Sequence, residues 1–158
     1  MNVKVTRVGT KVTTGIVKLS CIHILGPYAI EGIEDYKPRY STTVIIPKNN
    51  IETIKAINEA IEQAKKDSDI KHILKTPLRD GDVERPENPL YKSCYFLNAN
   101  SKNRPGVVDA AVQPILEPIE VNNGCYSRVS IDFYSYNSTG NKGVAAGLCN
   151  IQYIGGAM

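Results

Sequence analysis

Three carboxylates at alternate positions, Asp80, Asp82 and Glu84, are the residues of this sequence best placed to break a bond. Alternate acids can converge on Mg²⁺ or Mn²⁺, as a two-metal nuclease requires. Their neighbours argue otherwise. Gly81 after Asp80 is ordinary turn chemistry, and Arg79 and Arg85 flank the run and neutralise it. A solvated turn is the better reading, and a metal-dependent nuclease is its rival. Elsewhere the catalytic signals are thin. No G-x-S-x-G, P-loop or dinucleotide fingerprint is present. His23 shares an alternation with Leu19 and Cys21, which fits a packed, hydrogen-bonded histidine; Cys21 and His23 could bind a metal only with outside partners. No catalytic residue, metal or other cofactor is expected.

A second pattern suits binding. From Tyr126 the even positions read Tyr126, Arg128, Ser130, Asp132, Tyr134 and Tyr136, and the odd ones Ser127, Val129, Ile131, Phe133 and Ser135. An extended strand sends these sets to opposite faces. Val129, Ile131 and Phe133 are the core set, so three tyrosines and an arginine point outward. Aromatic rings stack on any base, at about 1–3 kcal/mol each, while cations follow the phosphates. The competing reading is a tyrosine face that shields a sheet or forms a subunit contact.

The stretch YKSCYFLNANSKNRPG extends that surface. Tyr91 and Tyr95 fall on one face of an extended run and Phe96 on the other with Cys94. The loop that follows brings Lys102 and Arg104 to the edge, and Lys142 lies in the last turn-rich loop. Lys75 and Arg79 are weaker phosphate candidates, because the acids beside them compete for them.

The elements that position these residues are mostly strands. Lys11–Ile24, Tyr40–Lys48, Tyr91–Ala99, Cys125–Tyr136 and Gly143–Ile154 are β-rich, and the last two are joined as a hairpin. One amphipathic helix is expected over Ile51–Lys66, with Ile51, Ile54, Ile57, Ile61 and Ala64 as its apolar stripe. Asn49 and Glu52 resemble a capping box at its start. Ser68–Leu90, with Pro77, Pro86 and Pro89, is a long irregular connection. Together these predict one mainly β domain over 1–158, an OB-fold-like five-stranded barrel, with a β-sandwich as the alternative pattern.

Composition sets outer bounds. The 158 residues carry a net charge of +3, too small to name a partner. Its distribution is uneven: Lys4, Arg7, Lys11 and Lys18 precede any acid, and twelve of the sixteen acids lie between Glu31 and Glu87. A basic leading segment attracts polyanions or forms a solvated edge. No stretch reaches the roughly 20 apolar residues of a membrane span, and no signal-peptide core leads the chain. Cys21, Cys94, Cys125 and Cys149 lack C-x-x-C spacing and read as reduced thiols of a cytosolic protein.

The motifs YSTTVIIPK, LKTPLRDGD, ERPENPLYK, YFLNANSKNRPGVVD and GCYSRVSIDFYSYNSTGNKGVAAGLCNIQ carry a resemblance. From about Thr14 to Ile154 the chain resembles the phage single-stranded-DNA-binding proteins long catalogued as a domain of unknown function. The resemblance implies an OB-fold and a non-catalytic, sequence-independent coat on single-stranded DNA. It places the protein in the cytoplasm of the infected bacterial host, in replication, recombination and repair. Phage replication or recombination proteins are implied partners, and a homodimer is an option, since dimers occur among related phage proteins. Many replication single-strand binders end in an acidic tail that recruits partners. Here no acid follows Asp132, so recruitment is expected at another surface, such as the acidic loop Asp80 to Glu87.

Overall fold

The computed structural model describes residues 4–28, 39–68, 76–103, 105–114, 125–138 and 141–155. Short strands β1 (Thr6–Val8) and β2 (Lys11–Thr13) precede β3 (Val17–Tyr28) and β4 (Arg39–Pro47). Helix α1 (Ile51–Lys66) follows, then β5 (Arg79–Asp80), the single turn α2 (Gly81–Glu84) and a 3₁₀ turn over Pro89–Tyr91. The chain returns as β6 (Cys94–Ser101), β7 (Gly106–Val108), β8 (Cys125–Ser138) and β9 (Asn141–Gly155).

Five strands close on themselves. β8, β3, β4 and β6 pair antiparallel in that order, β9 runs parallel to β6, and β9 returns antiparallel to β8. This closed Greek-key barrel is an OB-fold and excludes the sandwich. Its interior is apolar: Val17, Leu19, Val44, Ile46, Leu97, Val129, Ile131, Phe133 and Ile151 are buried there.

The strand expected over Lys11–Ile24 is broken at Gly15. β2 pairs with Ser130–Asp132 of β8, and β3 pairs with Cys125–Ser127. The break is held by polar bonds: Gly15 N donates to Thr53 Oγ1 of the helix at 3.0 Å, and Val129 N donates to Thr14 Oγ1 at 3.1 Å. A second irregularity lies in β9. Leu148 opposes Ile131 and Asn150 opposes Ser130, so Cys149 is an extra residue. That bulge lets Leu148 and Ile151 both reach the core despite their odd spacing.

The helix spans the expected residues, but its buried stripe is rotated. Thr53, Ala56, Ile57, Ala60, Ile61 and Ala64 face the barrel, while Ile51 is 72% exposed. The alanines let the helix axis approach the barrel closely, so packing overrides the isoleucine spacing. The expected capping box is also replaced. Asn50, not Asn49, is the N-cap residue, and its Nδ2 donates to Ile16 O at 3.3 Å.

The connection before β6 is folded where it is described. β5 pairs with Phe96 and Tyr95 of β6. Tyr91, Cys94, Phe96 and Ile45 form a second small core on the outer side of the barrel.

Candidate nucleic-acid interface

The outer face of β8 is the expected one. Val129, Ile131 and Phe133 point inward and are buried, and Tyr134, at the same strand's outer side, is 45% exposed. The neighbouring lane on β9 is built of small residues. Tyr136 opposes Gly143, Tyr134 opposes Ala145, and Asp132 opposes Gly147. A Cβ on Gly147 would lie 3.2 Å from Asp132 O and 3.5 Å from Tyr134 Cε1, so the tyrosine ring leans over the bare glycine.

One strand further, β6 places Asn98 and Asn100 on the same side, with Asn100 opposite Gly147. Strands lie about 4.8 Å apart, so tyrosines and asparagines border a shallow strip about 10 Å wide. At one end, Tyr136, Asn98, Asn100, Ala145 and Arg79 line an open groove of ≈ 610 Å³. At the β2 edge Lys11 stands opposite Asp132, whose Oδ1 accepts from Thr10 Oγ1 at 2.7 Å.

The other proposed residues are dispersed. Tyr91 and Tyr95 do not share a face. Tyr91 lies in the 3₁₀ turn, is 6% exposed, and packs edge-on against Phe96 with centroids 5.1 Å apart. Pro89 and the Asn88 side chain, which accepts from Leu90 N at 3.0 Å, turn the chain before the strand begins. Tyr95 sits on the side of β6 that also carries Leu97 and Ala99. It is half-buried by the start of α1, with Lys48 Nζ 5.2 Å from its ring centroid. Tyr126 is half-buried opposite Lys18, at the far end of β8 from Tyr136.

The cations divide similarly. Arg128 Nη2 donates to Lys4 O at 2.7 Å and its Nε to Thr14 O at 3.2 Å, which latches the leading segment onto β8. Arg79 reaches the groove but is paired with Glu84 (Nε–Oε2 3.0 Å) and stacked 5.6 Å from the Phe96 centroid. Lys102 is exposed and Lys142 half-buried, and among the described residues neither has a carboxylate partner. Lys75 and Arg104 lie outside the described residues.

The three carboxylates form a structural knot. Lys48 Nζ meets Asp80 at 3.0 Å and Asp82 at 2.9 Å, rather than either acid pairing with Arg79 or Arg85. Asp80 Oδ1 also accepts from Asp82 N, capping α2. Asp82 Oδ1 accepts from Ser93 N at 2.9 Å, which holds Ser93 at its positive φ of 57°. The Ser93 amide first and the Lys48 ammonium second lower the Asp82 pKa below its ordinary 3.8. Hydrogen bonds to both aspartates push Lys48 up. Among the described residues, no three His, Cys, Asp or Glu side chains are grouped to hold a metal.

Sequence reasoning did not single out Asn98, Asn100, Ala145 or Gly147, and it noted Lys11 only as part of the basic leading segment. A signal was present: Asn98 and Asn100 alternate with Leu97 and Ala99, and Ala145 and Gly147 with Val144, Ala146 and Leu148. Pairing of the three strands is what assembles them.

The fold places the protein among OB-fold barrels, the class whose sheet faces and loops bind oligonucleotides and oligosaccharides. The chain belongs to the family described as Enterobacter phage Enc34, ssDNA-binding protein, whose model matches residues 10–157. It is 30% identical to protein p50 of Acyrthosiphon pisum secondary endosymbiont phage 1 over 157 residues, covering 91% of this chain and 83% of that one. The single-stranded DNA-binding protein of bacteriophage Enc34, solved in complex with ssDNA, matches with a TM-score of 0.84 at 24% identity, covering 99% of this chain and 96% of that one. The single-stranded DNA-binding protein gp2.5 of bacteriophage T7 matches at 0.69 and 14% identity, covering 94% and 93%. These two structural likenesses are likenesses of fold.

Proposed function

We propose that this protein binds single-stranded DNA without sequence preference and without catalysis, in phage replication, recombination and repair in the host cytoplasm. Family membership supports the reading, and one observation carries it: an open strip of Ala145 and Gly147 between two tyrosines and two asparagines. Small residues let a flat base approach the sheet, and Tyr134 and Tyr136 offer π-faces to it. Every base has such a face, so the grip tolerates any sequence. The Asn98 and Asn100 amides can donate to base edges or phosphates. Lys11, Lys102 and Lys142 supply charge along the path, while Tyr91 has no surface to offer and Arg128 acts first as a latch. Asp80 and Asp82 are both tied to Lys48, and their Oδ1 atoms cap α2 and hold Ser93 N, which argues against the nuclease.

Fluorescence titration with poly-dT and a matched duplex, at low and moderate salt, tests this. Tight single-strand binding that weakens with salt, with duplex bound far less, is expected. Lys102→Ala should flatten the salt dependence by about one phosphate contact. Absent or equal binding would leave the tyrosines as a contact between subunits, and a concentration-dependent mass in solution would then expose it.

A further inference from the structure

The outward lane of β8 does not end at Asp132. It continues through Ser130 to Arg128, where the β9 partners are Asn150 and Gln152 and the flanking strand is β7. There the surface deepens into a second groove of ≈ 350 Å³, with Val108, Val112 and Thr13 as walls and Arg128 and Gln152 among its polar groups. From Tyr136 to Ser130 is six strand residues, so the two grooves lie about 20 Å apart on one face.

Two features suit this groove to part of an anionic chain. Among the described residues no carboxylate lines it, and Arg128 does. Its apolar wall is also held in place at a cost. Val112 is 66% exposed and has φ 61°, a left-handed conformation that a β-branched residue rarely adopts. The turn is enforced by Asp109, whose Oδ1 accepts from Ala111 N at 2.9 Å and Gln113 N at 3.0 Å. Strain of this kind persists only where surroundings over-determine it, and asparagine would satisfy the backbone better.

We propose that this groove is a second nucleobase subsite, taking an unstacked base of the same strand that crosses Tyr134 and Tyr136. This rests on the single-strand reading above. Val108 and Val112 contact the base faces, and Gln152 and the Nη1 of Arg128, which has no partner among the described residues, meet polar edges or the adjoining phosphate. The bound strand therefore runs along β8 from the Tyr136 end to the Arg128 end.

The test is a titration series with oligo-dT of about 4 to about 16 nucleotides, on the wild-type chain and on Val112→Asn. Asparagine keeps the turn and removes the apolar contact. The variant should match wild type on the shortest oligonucleotides and bind those spanning both grooves about tenfold more weakly. Thr13→Trp, which fills the groove from its opposite wall, should show the same length-dependent loss. Variants that track wild type at every length overturn the subsite while leaving strand binding intact. A wild-type chain that binds no length overturns the underlying reading instead.

Discussion

Two outer faces of one barrel carry aromatic rings, and they end differently. Over β3, β4 and β6, Phe96 is covered by Tyr91, with Arg79 and Arg85 stacked on it, and the segment from β5 to the 3₁₀ turn makes a second core. Over β6, β9 and β8, Tyr134 stays open beside Gly147. Ring content is therefore a poor guide to function. What separates the faces is whether another piece of chain lies on the rings. The Lys48–Asp80–Asp82–Ser93 knot pins that piece down on the first face.

The contrast can be broken from the covered side. Phe96→Ala should cost about 3–5 kcal/mol of stability, seen in chemical denaturation, because it empties a buried site. Loss of strand affinity without loss of stability would mean Phe96 belongs to the interface. Gly81→Ala comes next, at about 1–3 kcal/mol, since a Cβ there would sit 2.6 Å from Tyr91 O and 2.8 Å from Cys94 O. Unaltered denaturation would show that the covering segment can shift freely.

On the open side, Tyr134→Ala should leave stability nearly unchanged and cost about 1–3 kcal/mol of single-strand affinity. An unchanged titration removes Tyr134 from the site. The smallest effect is one of pH. Because the Asp82 pKa is lowered on folding, its contribution is present above the unfolded value near 3.8 and is lost as pH falls through the folded one. The melting-temperature difference between wild type and Asp82→Asn should accordingly shrink below that pH. A difference that persists in acid would assign the role of Asp82 to something other than its charge.

Much of this was legible in the residues alone. Strict alternation in Cys125–Tyr136 announced both the core set and the outward tyrosines, because the period of a strand is two and nothing in that stretch disturbs it. The extent of α1 was legible too, since periodic apolar residues and terminal lysines are local signals. Failures came where local pattern met long-range packing. Tyr91 reads as strand, but Pro89 and the capping Asn88 fold it under Phe96. Ile51 reads as core, but the alanine face fits the barrel more closely. Arg128 reads as an outward cation, and what local pattern did not show is that two carbonyls from the leading segment, over a hundred residues earlier, hold its Nε and Nη2.

Within Cys125–Tyr136 the sequence by itself determined which side chains face water and which do not, because strand periodicity is a property of neighbours along the chain. Only the tertiary structure decided which outward residues meet. Asn98 and Asn100 come to Tyr134 and Tyr136 through the parallel pairing of β6 with β9, whose partners are more than forty residues apart, and no local preference encodes that register.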